Sequence, residues 1–68
     1  MQEHQQRVVT EKVELDEKLA KLKTFIERSD VYTRLDNAEQ KRLEDQASIM
    51  TEYSAILGDR IAAFRTEE

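Results

Sequence analysis

Between residues 43 and 64, seven positions recur at spacings of four and three: Leu43, Ala47, Met50, Ser54, Leu57, Ile61 and Phe64. All are apolar except Ser54. Such a repeat predicts a long amphipathic helix. A second apolar row lies beside it, made of Ile49, Tyr53, Ile56 and Ala63 and interrupted by Arg60. One stripe is covered by one partner helix, whereas two adjoining stripes need at least two. The first half of the chain carries a single heptad seam, Val8, Leu15, Leu19, Leu22 and Ile26, with Lys12 at the missing position. Val9, Val13 and Phe25 broaden that face. Lys12 is expected to lay its stem along the seam and lift its ammonium to water.

These patterns predict a helix over about residues 3–28 and another over about 37–65, joined by a connection at 29–36. Within the connection, Ser29 and Asp30 are turn and cap formers. Val31, Tyr32 and Leu35 are spaced to pack one helical turn over the end of a hairpin. Asp36, followed three residues later by Glu39, reads as an N-cap with a capping-box partner. On the first helix, Glu14–Lys18 and Glu17–Lys21 have the favourable acid-before-base order, as solvated surface pairs. Gly58 weakens the second helix by on the order of 1 kcal/mol relative to alanine. It reads either as a point of close approach for another helix or as simply tolerated.

Two long helices with a short connection lie antiparallel. The expected fold is therefore all-α, a single helical-hairpin domain over residues 1–68. One hairpin leaves the second row of its later helix uncovered, which predicts a homo-oligomeric bundle with that helix at its centre. Chain length agrees: domains of this size rarely gain more than about 3–5 kcal/mol from one core without staples, metals or oligomerisation. Cysteine is absent and His4 is the only histidine, which excludes disulfides and makes a structural zinc cluster implausible.

Composition narrows the function classes. The net charge of −4 argues against non-specific binding to DNA or RNA, which depends on many Lys and Arg contacts to phosphate. It leaves room for a local anion site, because a pocket responds to the few charges around it. No run is apolar enough for a membrane span or a signal peptide, so a cytoplasmic location is expected. No catalytic constellation or glycine-rich phosphate loop is visible. The adjacent acids Asp16-Glu17 and Glu44-Asp45 do not share a helix face, so no enzyme, cofactor or metal is expected.

Folding the hairpin brings the start of the first helix beside the end of the second. His4, Arg7, Arg60 and Arg65 then gather at the open end with Phe64. Arginine suits bidentate contact with phosphate. The plainer alternative pairs Arg7, Arg60 and Arg65 with Glu3, Asp59 and Glu67. A second basic group, Lys21, Lys23, Arg28 and Arg34, lies toward the turn near Thr24, Phe25 and Tyr32. There an aromatic ring beside cations suits a nucleobase and its phosphate, although both rings equally suit a core that caps the hairpin.

Residues 4–16 (HQQRVVTEKVELD), 19–26 (LAKLKTFI) and 50–64 (MTEYSAILGDRIAAF) resemble small tailed-phage proteins built on a helical hairpin. That hairpin is shared by anti-CBASS and anti-Thoeris cyclic-nucleotide sponges. CBASS is the bacterial defence in which a cyclase makes cyclic oligonucleotides that activate a killing effector. The resemblance implies a homohexamer, in the cytoplasm of an infected bacterium, that captures cyclic di- and trinucleotides without cleaving them. It places Arg60 on trinucleotide phosphates and Lys21 or Lys23, with Thr24, on dinucleotides. The family's stacking tyrosine near the N-terminus has no tyrosine counterpart here; His4 or Arg7 stands in that neighbourhood. The rival expectation is a helical oligomeric interaction module that binds or blocks a protein partner through its spare apolar row.

Overall fold

The computed structural model describes residues 1–67, with side chains described through Phe64. Three helices follow in order: α1 over Glu3–Arg28, α2 over Asp30–Arg34 and α3 over Asn37–Glu67. The class is all-helical, with two long helices and a short connecting one.

Local chemistry sets the boundaries. Gln2 is extended (φ −66°, ψ 155°), and its backbone N–H donates to Gln5 Oε1 at 2.9 Å, which satisfies one of the orphan donors at the start of α1. Glu3 in the first turn and Arg28 in the last complement the helix dipole. Ser29 serves two helices. Its extended backbone (φ −82°, ψ 131°) ends α1 with an N–H donated to the Phe25 carbonyl. Its hydroxyl oxygen then accepts the Val31 N–H and caps α2. A sharp break is thus made without glycine. Leu35 ends α2 in an extended conformation and donates its N–H to the Tyr32 carbonyl.

Asp36 caps α3 as its sequence position predicts, accepting the Glu39 N–H at 2.8 Å. The Glu39 carboxylate, however, accepts from Arg42 Nε at 2.7 Å. That neighbour offers a charged donor one turn on, which outcompetes the return bond of a capping box.

α1 and α3 pack antiparallel in a rod of 50 × 15 × 14 Å, with α2 against the turn end of α1. The buried core sits at the open end, where Val8, Leu57 and Phe64 meet and Leu15 and Ile61 pack against them. Leu57 is fully enclosed. Leu19 is the other buried apolar residue among the described ones. Leu22, Ile26, Leu43, Ala47 and Met50, nearer the turn, are only half-buried. Val13 and Val31, which the pattern assigns to packed faces, are instead 52% and 54% exposed. A two-helix layer covers a narrow stripe, and both residues fall outside it.

The second row is open as well. Ile49 is 66% exposed and Ile56 56%, with Tyr53 between them. A single hairpin therefore leaves Ile49, Tyr53 and Ile56 as an apolar row on α3 facing solvent.

Candidate functional site

The hairpin sorts the candidate residues into two groups. Packing of Val8 against Leu57 and Phe64 brings the start of α1 alongside the end of α3, so His4 and Arg7 share the open end with Arg60. All three are exposed. Arg7 donates from Nη2 to Glu3 Oε1 at 2.9 Å, one turn back along its own helix. Its charge is answered locally, as the plainer sequence reading has it. Arg60 makes no ion pair among the described residues, and the proposed partner Asp59, its chain neighbour, points elsewhere on the helix. The side chain of Arg65, the remaining arginine of this group, lies outside the described residues.

Beside Arg7 a shallow open groove follows the outer face of α1, lined by Glu3, Gln6, Arg7, Thr10, Glu11 and Glu14. Three carboxylates against one guanidinium make it acidic. The groove does not by itself favour an anion.

Lys21, Lys23 and Thr24 lie toward the turn. Fourteen residues separate Arg7 from Lys21, about 21 Å along the helix axis. One chain therefore holds two basic groups too far apart to share a small ligand. Lys21 and Lys23 are exposed, and neither is ion-paired among the described residues. The expected Glu14–Lys18 and Glu17–Lys21 pairs do not form; the pairs on α1 are Arg7–Glu3 and Lys12–Asp16. Thr24 donates its hydroxyl to the Ala20 carbonyl at 3.0 Å, which leaves only its oxygen lone pairs for another partner.

The aromatic residues near this group are already engaged. Phe25 and Tyr32 meet edge to face, with centroids 6.0 Å apart and planes at 81°. The Tyr32 hydroxyl donates to Glu44 Oε2 at 2.8 Å, a bond that holds its pKa above the ordinary phenol value. Gln40 Nε2 donates to the Tyr32 carbonyl at 2.8 Å. These contacts tie α1, α2 and α3 together at the turn, so the pair caps the hairpin in this conformation.

The most connected polar feature lies midway along the seam, between the two groups. Lys12 Nζ donates to Asp16 Oδ2 at 2.9 Å and to Ser54 Oγ at 2.8 Å, and the Ser54 hydroxyl donates to Asp16 Oδ1. The ring of hydrogen bonds closes on itself. Lys12 and then Ser54, by these bonds, hold the Asp16 carboxyl below its ordinary value. Lys12 thus keeps its stem on the seam but gives its ammonium to α3, not to water. A free ammonium would gain hydration alone, whereas here it gains a carboxylate and a hydroxyl at once. The Lys12 stem also lies over Gly58, its Cε 3.5 Å from the place a Cβ would occupy. That is ordinary contact distance, so no helix backbone requires the glycine. Sequence signals for this ring existed. Lys12 and Ser54 are the single polar breaks in two apolar tracks, and an antiparallel arrangement brings them level.

Among the described residues no three His, Cys, Asp or Glu side chains gather to hold a metal ion. No helix there is long and apolar enough to cross a membrane. A family model described as Sequestin matches residues 2–63, a span that holds every candidate residue except Arg65. No curated protein and no solved structure matches the chain.

Proposed function

The chain belongs to the Sequestin family, and from that membership we propose that it captures cyclic di- and trinucleotide second messengers and withholds them from CBASS effectors. The family's name points to sequestration. The ligand class rests on the chain's resemblance to phage sponges, and on this reading the protein acts in the cytoplasm of an infected bacterium. Capture without turnover requires a tight, slowly releasing pocket and no nucleophile, so the proposed protein is a binder and not an enzyme.

One observation carries the reading. Arg60 is exposed and unpaired among the described residues, and it interrupts the apolar row of Ile49, Tyr53 and Ile56 that the hairpin leaves uncovered. Assembly of copies through that row, as a homohexamer in the proposed form, carries Arg60 to a junction between protomers. There a guanidinium gains strength as water is excluded and grips phosphate with two parallel bonds. His4 and Arg7 stand at the same end, and Lys21, Lys23 and Thr24 supply the separate dinucleotide contacts.

Thermal melting with a panel of cyclic di- and trinucleotides tests the proposal. A ligand at a hundred times its Kd stabilises the native state by about 2.7 kcal/mol. For a domain of this size each kcal/mol moves the midpoint by roughly 4–8 °C. The expected result is a rise of ten degrees or more, with intact ligand recovered after heat release. Arg60→Ala should abolish the rise for trinucleotides while leaving the unliganded midpoint in place. No shift with any cyclic nucleotide overturns the reading and leaves a protein partner for the apolar row. Chemically altered ligand overturns the non-enzymatic part.

A further inference from the structure

The ring of Lys12, Asp16 and Ser54 has no part in the proposed ligand contacts, yet it holds the only side-chain hydrogen bonds that join α1 to α3 among the described residues. It stands in a seam that is otherwise apolar. Ser54 is only 8% exposed, between Met50 and Leu57 on the same track. Gln5, the other buried polar residue among those described, accepts from the Gln2 N–H at the start of its own helix and bonds to no described residue of α3.

Apolar spacing repeats every seven residues, so the pattern by itself does not define one register of this hairpin. A shift of seven residues along α3 places Leu43 on Met50, Met50 on Leu57 and Leu57 on Phe64, so three apolar layers meet the α1 seam again, at the loss of the Ile61 and Phe64 layer. The displacement is about 10 Å. The connection has nearly that much reach once the Tyr32 ties to Glu44 and Gln40 are released, because extending the five residues of α2 from about 1.5 to about 3.3 Å each gives roughly 9 Å. Polar pairing is not degenerate in this way. Lys12 meets Ser54 in one register only, and a slipped chain leaves each facing apolar neighbours. A single buried polar residue selects register in coiled coils by the same logic, at some cost in stability.

We propose that Lys12, Asp16 and Ser54 set the axial register of α1 on α3 and so act as positioning residues that keep His4 and Arg7 level with Arg60. The consequence for ligand capture rests on the function proposed above; the register itself does not.

The chain has no cysteine, so Glu17→Cys with Asp59→Cys introduces one spin-label pair on two exposed sites. Double electron–electron resonance, with labelled chain diluted in excess unlabelled chain, then reads the distance between α1 and α3. The parent should give one narrow distance. Ser54→Ala removes both hydrogen bonds to α3, keeps the Lys12–Asp16 pair and places a second alanine in the seam beside Ala47. It should keep its helicity and gain a second, longer distance, lengthened by somewhat less than the axial slide of about 10 Å because the labels are also offset across the two helices. Adding Lys12→Met should enlarge that second population, and Ser54→Thr, which retains the hydroxyl, should restore the single distance. One unchanged narrow distance in Ser54→Ala, and in the double variant where it folds, overturns the proposal. Binding of cyclic nucleotides measured on the same samples separates the two ideas. A parent that binds none sinks the sponge reading while the distances still decide the register. Lost capture in a Ser54→Ala chain with unchanged distance sinks the register alone.

Discussion

The two ends of the hairpin are built from the same kind of seam and bury it to different degrees. At the open end Val8, Leu57 and Phe64 are each less than a tenth exposed, and Leu15 and Ile61 close around them. Toward the turn, Leu22, Ile26, Leu43, Ala47 and Met50 stay half-buried, and order is kept by polar and aromatic ties around Tyr32. Two helices enclose a seam only where large side chains reach across it from both sides. Phe64 and Leu57 do so; Ala47, opposite the turn half of α1, does not. The hairpin's own stability therefore concentrates at the open end. The turn half, with Ile49 beside it, is left for another copy to complete in the proposed assembly.

The largest test of that contrast is Leu57→Ala. Removing a fully enclosed leucine costs about 2–5 kcal/mol, and the small chain cannot collapse readily around the cavity. At roughly 4–8 °C per kcal/mol, the melting midpoint followed by circular dichroism should fall by ten degrees or far more. Leu22→Ala, at a half-buried site, should cost clearly less. Equal losses at the two sites would break the contrast.

Next in size is the effect of charge on the open row. Ile49→Glu with Ile56→Glu alters side chains that are already 66% and 56% exposed in the single hairpin, so helicity should survive. Sedimentation at micromolar concentration should change from an oligomer to a single hairpin. If sedimentation is unchanged, the open row is not the assembly surface, and completion of the turn half must come from elsewhere.

Much of the fold can be read from spacing alone. The 4-3 repeat of α3, the α1 seam, the Ser29 break and the Asp36 cap specify an all-helical chain with a short helix between two long ones. Single-helix periodicity carries that information. What it does not carry is pairing between helices. Val13 fits the widened α1 face by rotation but lies outside the narrow strip that one partner covers. Glu14 and Glu17 have well-placed lysines and do not pair with them, while Lys12–Asp16 and Lys41–Asp45 form in base-before-acid order beside Glu3–Arg7 and Glu39–Arg42. Surface pairs gain only a few tenths of a kcal/mol, so small differences in packing decide them. The candidate site is less legible for a related reason. His4, Arg7 and Arg60 reach one end by topology, but the pocket proposed between protomers would leave no trace in one chain's spacing beyond the interruption at Arg60.

A smaller effect, of opposite sign, sharpens the account of the open half. The Lys12 stem sits at ordinary contact distance from a methyl group at position 58. Gly58→Ala should therefore gain helix propensity without a clash, by about 1 kcal/mol. The midpoint should rise by roughly 4–8 °C. A fall instead would mean that Gly58 admits a second helix in the assembled state, as its position in the sequence first allows.

The smallest expected effect concerns the boundary between the two halves, where Lys12, Asp16 and Ser54 meet. Asp16 is held below the ordinary carboxyl value by its bonds from Lys12 and Ser54. A carboxyl depressed in the folded state contributes stability that is fully present above its unfolded pKa. That contribution is lost as pH falls through the lower folded value. Comparison with Asp16→Asn isolates it from the many other acids that titrate in the same range. At pH 6 the parent should melt above the variant, and the gap should close as pH falls below the ordinary carboxyl range and through the lower folded value. The charge at Asp16 is partly solvated, so the gap should amount to a few degrees at most. A gap that persists undiminished at pH 2 would show that the Asp16 charge adds nothing to the link, leaving the bond between Lys12 and Ser54 to join the halves alone.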